Sequence, residues 1–566
     1  MRTRPGSDSS LCIAALLAGL SLTTSMPASA QQKTLLVLGE SVPASLDYDG
    51  PAGNHPASQT GFHNLIEPMV DYAFGKVGED GTQLLDFNKF DGALAESWSF
   101  DAPANTWTFK LRQGVKSCAG NTFTADDVLY TYARAKSISG KAPIGYFLAS
   151  VASVANFTPA LFAKTPEAIE RRKLGDEVKK VDDYTVQIRQ SAPNKLMLPV
   201  LTIFGALIYD SKEMQAHATA DDPWSHDYAN NTNAPSFGPY CLESWKKDEE
   251  FVAKANPNYY RGKPYFERVI YRKVPQSANR LAILRTGQAQ LVESLNPREI
   301  ESLRKIPNIK IGGGYLNATM FVLLNFKSKP FDIPAMRKAI AYAMPYQDII
   351  KTSYFGEAKQ WQGLVPSAYP GYITPKAQYS YDPQKAKELL AEAGFPDGKG
   401  LEAFPEAFKL SYVSERESNL GPTATLIQTR LKALGIPVQL DPQPATQLAD
   451  RQLVKKDLPF SLYDQSKPVG VDPAYAMQLY FVTPPRGVNN MTNFTDPKLD
   501  EMFTKAQTEA DAAKRNEYLA EAQEILMDKL AFVPIVENKM QFAMNAKLKG
   551  LVLHPSQNLI WRYLHE

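Results

Sequence analysis

Apolar and polar residues alternate from Thr106 to Arg112: Trp107, Phe109 and Leu111 fall on one side, and Thr106, Thr108, Lys110 and Arg112 on the other. A period of two predicts a half-buried strand. The preceding SFDAPAN supplies turn formers after a second short strand around Trp98, which predicts a hairpin. Beyond the strand the period lengthens. Val128, Leu129, Tyr132 and Ala135 form one helical stripe, and Thr124 with Asp127 three residues on predicts a carboxylate variant of the capping box at its start. The same punctuation recurs. YDPQKAKELLAEAGFPDG places Asp382 at an N-cap, Pro383 at the first helical position and Gly394 beyond the last turn. NPREIESLRKI from Asn296 and TDPKLDEMFTKA from Thr495 follow the same grammar. Strands are predicted in EFVAKAN (from Glu250), FERVIYRKV (Phe266), MFVLLNF (Met320), FKLSYV (Phe408) and AFVPIVEN (Ala531). Strands and helices that interleave through the chain indicate an α/β class.

A chain of 566 residues is too long for one hydrophobic core, so at least two lobes are expected. Its formal charge of +2 carries no electrostatic footprint for nucleic acid. Residues 1–30 change the compartment: Arg2 and Arg4 precede an apolar run from Leu11 to Leu22 that ends in Ala28-Ser29-Ala30, the order of a secretory signal cleaved before Gln31. Cys12 leaves with that signal. Cys118 and Cys241 then stay in an oxidising compartment, where they are free to pair or to stand as two separate small buried residues. The mixed-sign run ERRKLGDEVKKVDD, Glu170 to Asp183, reads as a solvated face.

The chemistry of turnover is missing from the pattern. The six histidines (55, 63, 217, 226, 554 and 565) show no metal-ligand spacing, there is no Gly-x-Ser-x-Gly elbow, and GFPDGKG lacks the glycine spacing of a phosphate loop and the Ser/Thr after its lysine. No cofactor or metal is expected. The acidic pair Asp126-Asp127 is explained by helix capping. One segment has the composition of a small-molecule pocket, with aromatic walls and a few orienting polar groups: Leu458 to Phe494, a loop-rich region holding Tyr463, Asp464, Gln465, Tyr475, Tyr480, Arg486, Asn489 and Asn490. A second is KQWQGLVPSAYPGY, Lys359 to Tyr372, with Trp361 as a wall; its alternative is a buried tryptophan.

Several long blocks, in order, resemble the extracytoplasmic substrate-binding proteins of peptide-type ABC importers, solute-binding family 5, which includes dipeptide- and oligopeptide-binding proteins. They are LAESWSFDAPANTWTFKLRQGVKSCAGNTFTADDV, FGPYCLESWKKDEEFVAKANPNYYRGKPYFERVIYRKVPQSANRLAILRTGQAQLVE, LLNFKSKPFDIPAMRKAIAYAM, DPQKAKELLAEAGFPDG and NFTDPKLDEMFTKA. The resemblance implies a two-lobed periplasmic binding protein fold: a first lobe over 31–288 with an extra subdomain near 61–189, a second lobe over 289–529, and a return over 530–566, with QAQLVESL and AFVPIVEN carrying the two crossings. It implies a monomeric, non-enzymatic periplasmic receptor that captures a peptide or similar-sized polar solute by lobe closure and delivers it to a membrane permease. The alternatives are an exported hydrolase using the same cleft, or a binding protein coupled to a chemoreceptor. Peptide binders of the group write an acidic residue shortly before Asp-Pro. Here Asp472-Pro473 is preceded by Val469, Gly470 and Val471, so Asp464 is the substitute expected to meet a ligand cation. Arg486 would meet an anionic group, Trp361 and Tyr463 would form walls, and Gln465 and Asn489 would orient the ligand.

Overall fold

The structure, a computed structural model, describes residues 32–50, 53, 55–136, 175–190, 193–466, 470–484, 489–555 and 559–566. The expected signal and Arg486 lie outside the described residues, as do the side chain of Gln465 and the first part of the mixed-sign run. The rest of that run is mostly exposed, apart from buried Glu177 and Val178.

The chain opens on β1 (Thr34–Gly39). It continues through the hairpin β2 (Val70–Val77) and β3 (Gln83–Gly92), then β4 (Ala95–Asp101), β5 (Thr106–Leu111), β6 (Val178–Asp182) and β7 (Thr185–Arg189). The alternating stretch is β5, and the strand around Trp98 is β4, with Trp98 opposite Phe109. These strands make a small sheet in the order β4-β5-β7-β6. Phe109 and Leu111 are buried against Val128 and Tyr132 of the helix Ala125–Lys136. The cap forms as the sequence predicts: Asp127 Oδ2 accepts from Thr124 N at 2.8 Å, and Thr124 Oγ1 from Asp126 N at 3.3 Å. Asp127 Oδ1 also accepts from the backbone and hydroxyl of Ser211. Asp382 and Asp496 likewise cap their helices, and Asn296 and Glu299 close a reciprocal capping box.

The later strands are β8 (Tyr240–Lys246), β9 (Glu250–Ala255), β10 (Arg268–Lys273), β11 (Leu291–Val292), β12 (Ile309–Gly314), β13 (Thr319–Leu324), β14 (Ala358–Gln360), β15 (Lys409–Val413), β16 (Gln439–Gln443), β17 (Phe460–Ser466), β18 (Val533–Asn538) and β19 (Met540–Asn545). They form a first sheet, β12-β19-β11-β1-β10-β9-β8, and a second, β14-β18-β13-β17-β15-β16. The chain therefore passes between the sheets twice, through 315–318 and at Lys539. This moves the expected boundaries. QAQLVESL stays in the first sheet, where Leu291 pairs with Val37 of β1, and the first crossing follows β12. AFVPIVEN lies in the second sheet as β18 and ends next to the second crossing. The first of these shifts has a simple origin: β11 is only two residues long, too short for its pairing to leave a periodic signature.

The first sheet has its own core around Trp561, Tyr240 and Phe251. A second buried apolar cluster runs continuously from the small sheet into the second sheet, so the two halves are in contact in this conformation. Cys118 and Cys241 form a disulfide (Sγ–Sγ 2.07 Å) that ties the loop after β5 to β8.

Candidate functional site

The halves touch at Tyr72. This residue sits on β2, where its ring packs between Phe87 and Phe90 with centroids 5.2 and 5.1 Å away. Its hydroxyl oxygen accepts a hydrogen bond from the Val471 backbone N–H at 3.3 Å. Burial of the phenol holds its ionisation well above the ordinary tyrosine value. Behind Tyr72, Asp71 Oδ1 accepts from the Tyr72 N–H at 2.8 Å and lies 3.2 Å from His554 Nε2. Burial opposes ionisation of Asp71, but the His554 hydrogen bond and the charges of His554 and Arg562 bring it down to about 2. Arg562 is anchored in turn on Glu67 and on the Tyr259 hydroxyl. A cavity of about 50 Å³ opens beside Asp71, Tyr72, His554 and Arg562.

On the facing side, Val471 is fixed by the residue after it. Asp472 caps the helix Pro473–Tyr480 by accepting from Ala474 N at 2.8 Å, and it takes two contacts from Arg515 Nη2 at 2.8 and 2.9 Å. The Asp-Pro aspartate is thus committed to holding the approach loop. Gly470 completes the turn, since a Cβ there would lie 2.8 Å from the Tyr475 ring.

The expected pocket residues do not all gather here. Part of the loop-rich segment Leu458–Phe494 is ordered into β17 and the helix Pro473–Tyr480. Tyr463 lies on β17 and stacks on Phe321 at 5.2 Å; Phe321 also meets Phe532 at 4.1 Å and Trp361 at 6.0 Å. Trp361 belongs to this aromatic block, only 3% exposed and with Nε1 donating to Val365 O at 3.1 Å, so it is a core residue and not an open wall. Asp464 follows Tyr463 on the strand, and successive side chains leave opposite faces of a sheet. It is accordingly separated from the aromatic block and pairs with Arg416 at 2.8 Å, the place where a ligand cation is expected. Asn489 is half-buried, its backbone N–H donating to Leu479 O at 2.8 Å, while Asn490 braces the loop through Val482 O and Phe494 O. Tyr72, Arg416 and Arg515 were not singled out by sequence reasoning. Arg515 lies 43 residues from its partner, and neither it nor Arg416 carries a local motif.

Among the described residues no group of three His, Cys, Asp or Glu side chains is placed to hold a metal ion, and no helix is long and apolar enough to cross a membrane. Among the described residues, the site offers fixed polar and aromatic surfaces on two halves joined by the two crossings, an arrangement suited to gripping a solute.

A family model described as bacterial extracellular solute-binding proteins, family 5 Middle, matches residues 89–487. Over 545 residues the chain is 26% identical to the "Probable D,D-dipeptide-binding periplasmic protein DdpA" of Escherichia coli (strain K12), covering 95% of this chain and 96% of that one. It is 26% identical to heme-binding protein A of Haemophilus influenzae over 488 residues, 84% of each chain. In fold it matches the periplasmic binding protein DppA of Helicobacter pylori, solved with the peptide STSA, at a TM-score of 0.73 and 22% identity, over 94% of this chain and 98% of that one.

Proposed function

This chain belongs to the bacterial extracellular solute-binding proteins, family 5, and from that membership we propose that it closes its two lobes on a peptide or similar-sized polar solute and hands it, as a monomer, to a membrane permease. It is a substrate-binding component of ABC import, and its family consists of transport proteins and not enzymes. DdpA and DppA are periplasmic binding proteins by name, DdpA D,D-dipeptide-binding and DppA solved with a peptide, and heme-binding protein A is heme-binding, which supports a small organic cargo and a periplasmic location after removal of residues 1–30.

The observation that carries the proposal is the pairing of two crossings with a hydrogen bond, Val471 N to Tyr72 Oη, between the facing halves. A solute that touches both faces binds the closed form better than the open one, and only that difference shifts the equilibrium. Native mass spectrometry of protein purified without denaturation is expected to reveal a retained cargo, and adding that cargo to stripped protein is expected to contract the X-ray scattering profile. Profiles that superimpose with and without saturating cargo would refute closure.

Within the site, Asp464 takes a ligand cation by exchanging it for Arg416, Arg486 meets an anionic group, and Gln465 and Asn489 orient the solute, while Tyr463 and Trp361 stiffen β17 from the aromatic block on its other face. This gives opposite expectations for two variants. Asp464→Ala should weaken a cationic cargo by about 1.5–3 kcal/mol, the usual worth of a hydrogen bond to a charged group. Arg416→Met should strengthen the same cargo by removing its competitor. Titration calorimetry reads both, and equal losses in the two variants would reduce the pair to a structural role.

A further inference from the structure

If the lobes hinge, something outside the ligand-facing surfaces sets the resting balance between open and closed forms. The strand entering the first crossing is held tightly. Gly313 N–H donates to Asp80 Oδ2 at 2.8 Å and Thr82 Oγ1 at 2.9 Å, from the turn of the β2–β3 hairpin. Gly313 also has a φ of 137°, and a Cβ there would collide with the Met540 carbonyl of β19. Rotation therefore falls to 315–318 and to Lys539. At that point one carboxylate reaches across. Glu357 precedes β14, the edge strand of the second sheet. Its Oε2 accepts from Lys539 Nζ at 2.9 Å and from Gln541 Nε2 at 3.1 Å, and its Oε1 from Arg304 Nη2 at 2.5 Å.

Gln541 lies on β19 of the first sheet. Arg304 directly follows the helix Pro297–Leu303, whose Leu303 is buried with Leu38, Ile309 and Ala543 of that sheet. Glu357 thus joins a second-lobe edge to two first-lobe side chains and to the crossing residue itself. Its side chain is only 11% exposed, so solvent screens the contacts less than at an open surface. The Lys539 and Lys359 ammonium groups also lie over the Tyr315 ring of the first crossing, at 5.7 and 4.5 Å, which brings one charge from the second crossing and one from the second lobe onto the first crossing.

We propose that Glu357 is a positioning residue for solute capture: a carboxylate clamp across the hinge that favours the conformer in which Tyr72 and Val471 touch, without contacting the solute. The proposal rests on the reading that the lobes move, and the test separates the two. Spin labels at Ser244→Cys on β8 and Lys432→Cys at the end of the helix Glu417–Lys432 report the lobe-to-lobe distance by pulsed electron resonance, with no ligand needed. Glu357→Gln should shift the short-to-long population ratio toward the long distance by about three- to tenfold. Arg304→Met, which releases the clamp from the first lobe, should shift it in the same direction, and the double variant no further than the stronger single. Lys338→Met, which breaks an ion pair with Asp528 inside the second lobe, should leave the ratio unchanged. Two populations whose ratio is the same in wild type, Glu357→Gln and Arg304→Met would overturn the clamp and leave hinging intact. One narrow distance in every variant would overturn both. If Glu357→Gln does not fold, Arg304→Met alone decides.

Discussion

Arg134→Met is expected to destabilise the first lobe by about 3–5 kcal/mol, the loss that follows when one member of a buried ionic network is removed. Arg134 is fully buried at the helix Ala125–Lys136, and its Nη1 contacts Asp47 Oδ1 at 2.9 Å and Asp49 Oδ2 at 2.6 Å. Nε donates to Trp224 O at 3.0 Å, and the guanidinium lies 4.8 Å from the Tyr209 ring, which stacks on Tyr48 at 4.7 Å. One side chain thus fastens the small subdomain's helix to the segment after β1 and to the loop before His226. Methionine replaces much of the volume, so the effect reports the missing guanidinium, its charge together with its hydrogen bonds. It leaves two carboxylates without their guanidinium, beside His226, whose Nδ1 lies 2.8 Å from Asp47.

The loss is expected to depend on pH, with a sign fixed by the two acids. Burial opposes ionisation of Asp47, but Arg134 and His226 outweigh it and hold the carboxyl at about 2. Its stabilisation is complete above about pH 4 and disappears as the pH falls through the folded value. Burial of Asp49 prevails over the pull of Arg134 and raises that carboxyl to about 6. Folding then takes up a proton between about pH 4 and 6, and stability declines as the pH rises through that window. Without Arg134 both carboxyls move upward and a proton becomes the substitute counter-charge. The melting-temperature difference between wild type and Arg134→Met should therefore be larger at pH 7.5 than at pH 5. A constant difference, or none, would show that the network is electrostatically idle.

The class and local grammar of the molecule were legible because they depend on near neighbours. Trp107, Phe109 and Leu111 alternate within one strand, and Thr124 and Asp127 cap one helix from three residues apart. Asp382, Asn296 and Asp496 do the same. The ordered family blocks carried the fold further. The site was less legible because its ties are long-range. Asp464 on β17 meets Arg416 from the turn after β15, and composition alone cannot reveal that Tyr463 and Asp464 leave opposite faces of β17. Size alone leaves Trp361 either a wall or a buried ring, and beside Phe321 a large apolar ring gains more from burial than from exposure. The crossing after β12 was hidden by a two-residue strand, and the clamp at Glu357 by partners 53 residues before it and 182 and 184 after it.

Removing the Cys118–Cys241 disulfide, as the double alanine variant, is expected to cost about 2–5 kcal/mol, with the chain-entropy account giving about 5 for a loop spanning 123 residues. The lower part of that range allows for structure retained in the unfolded chain, which reduces what a cross-link can restrict. The folded side of the balance is already well prepared. Cys118 N–H donates to Ser236 O at 3.1 Å, and Ser117 and Phe123 are hydrogen-bonded within the same loop to Asn121 and Val115. Loss of the bond should therefore leave the loop in place at low temperature and act mainly by enlarging the unfolded ensemble. The disulfide joins the small subdomain to the first sheet, both on one side of the two crossings, so its removal should lower the melting temperature while leaving the lobe-to-lobe distance ratio unchanged. A variant that melts with wild type would show that the cross-link confers no stability. One that opens the lobes would show that the subdomain, through Tyr72 on β2, helps to hold them closed, since that is the contact which connects the subdomain with Val471 of the facing half.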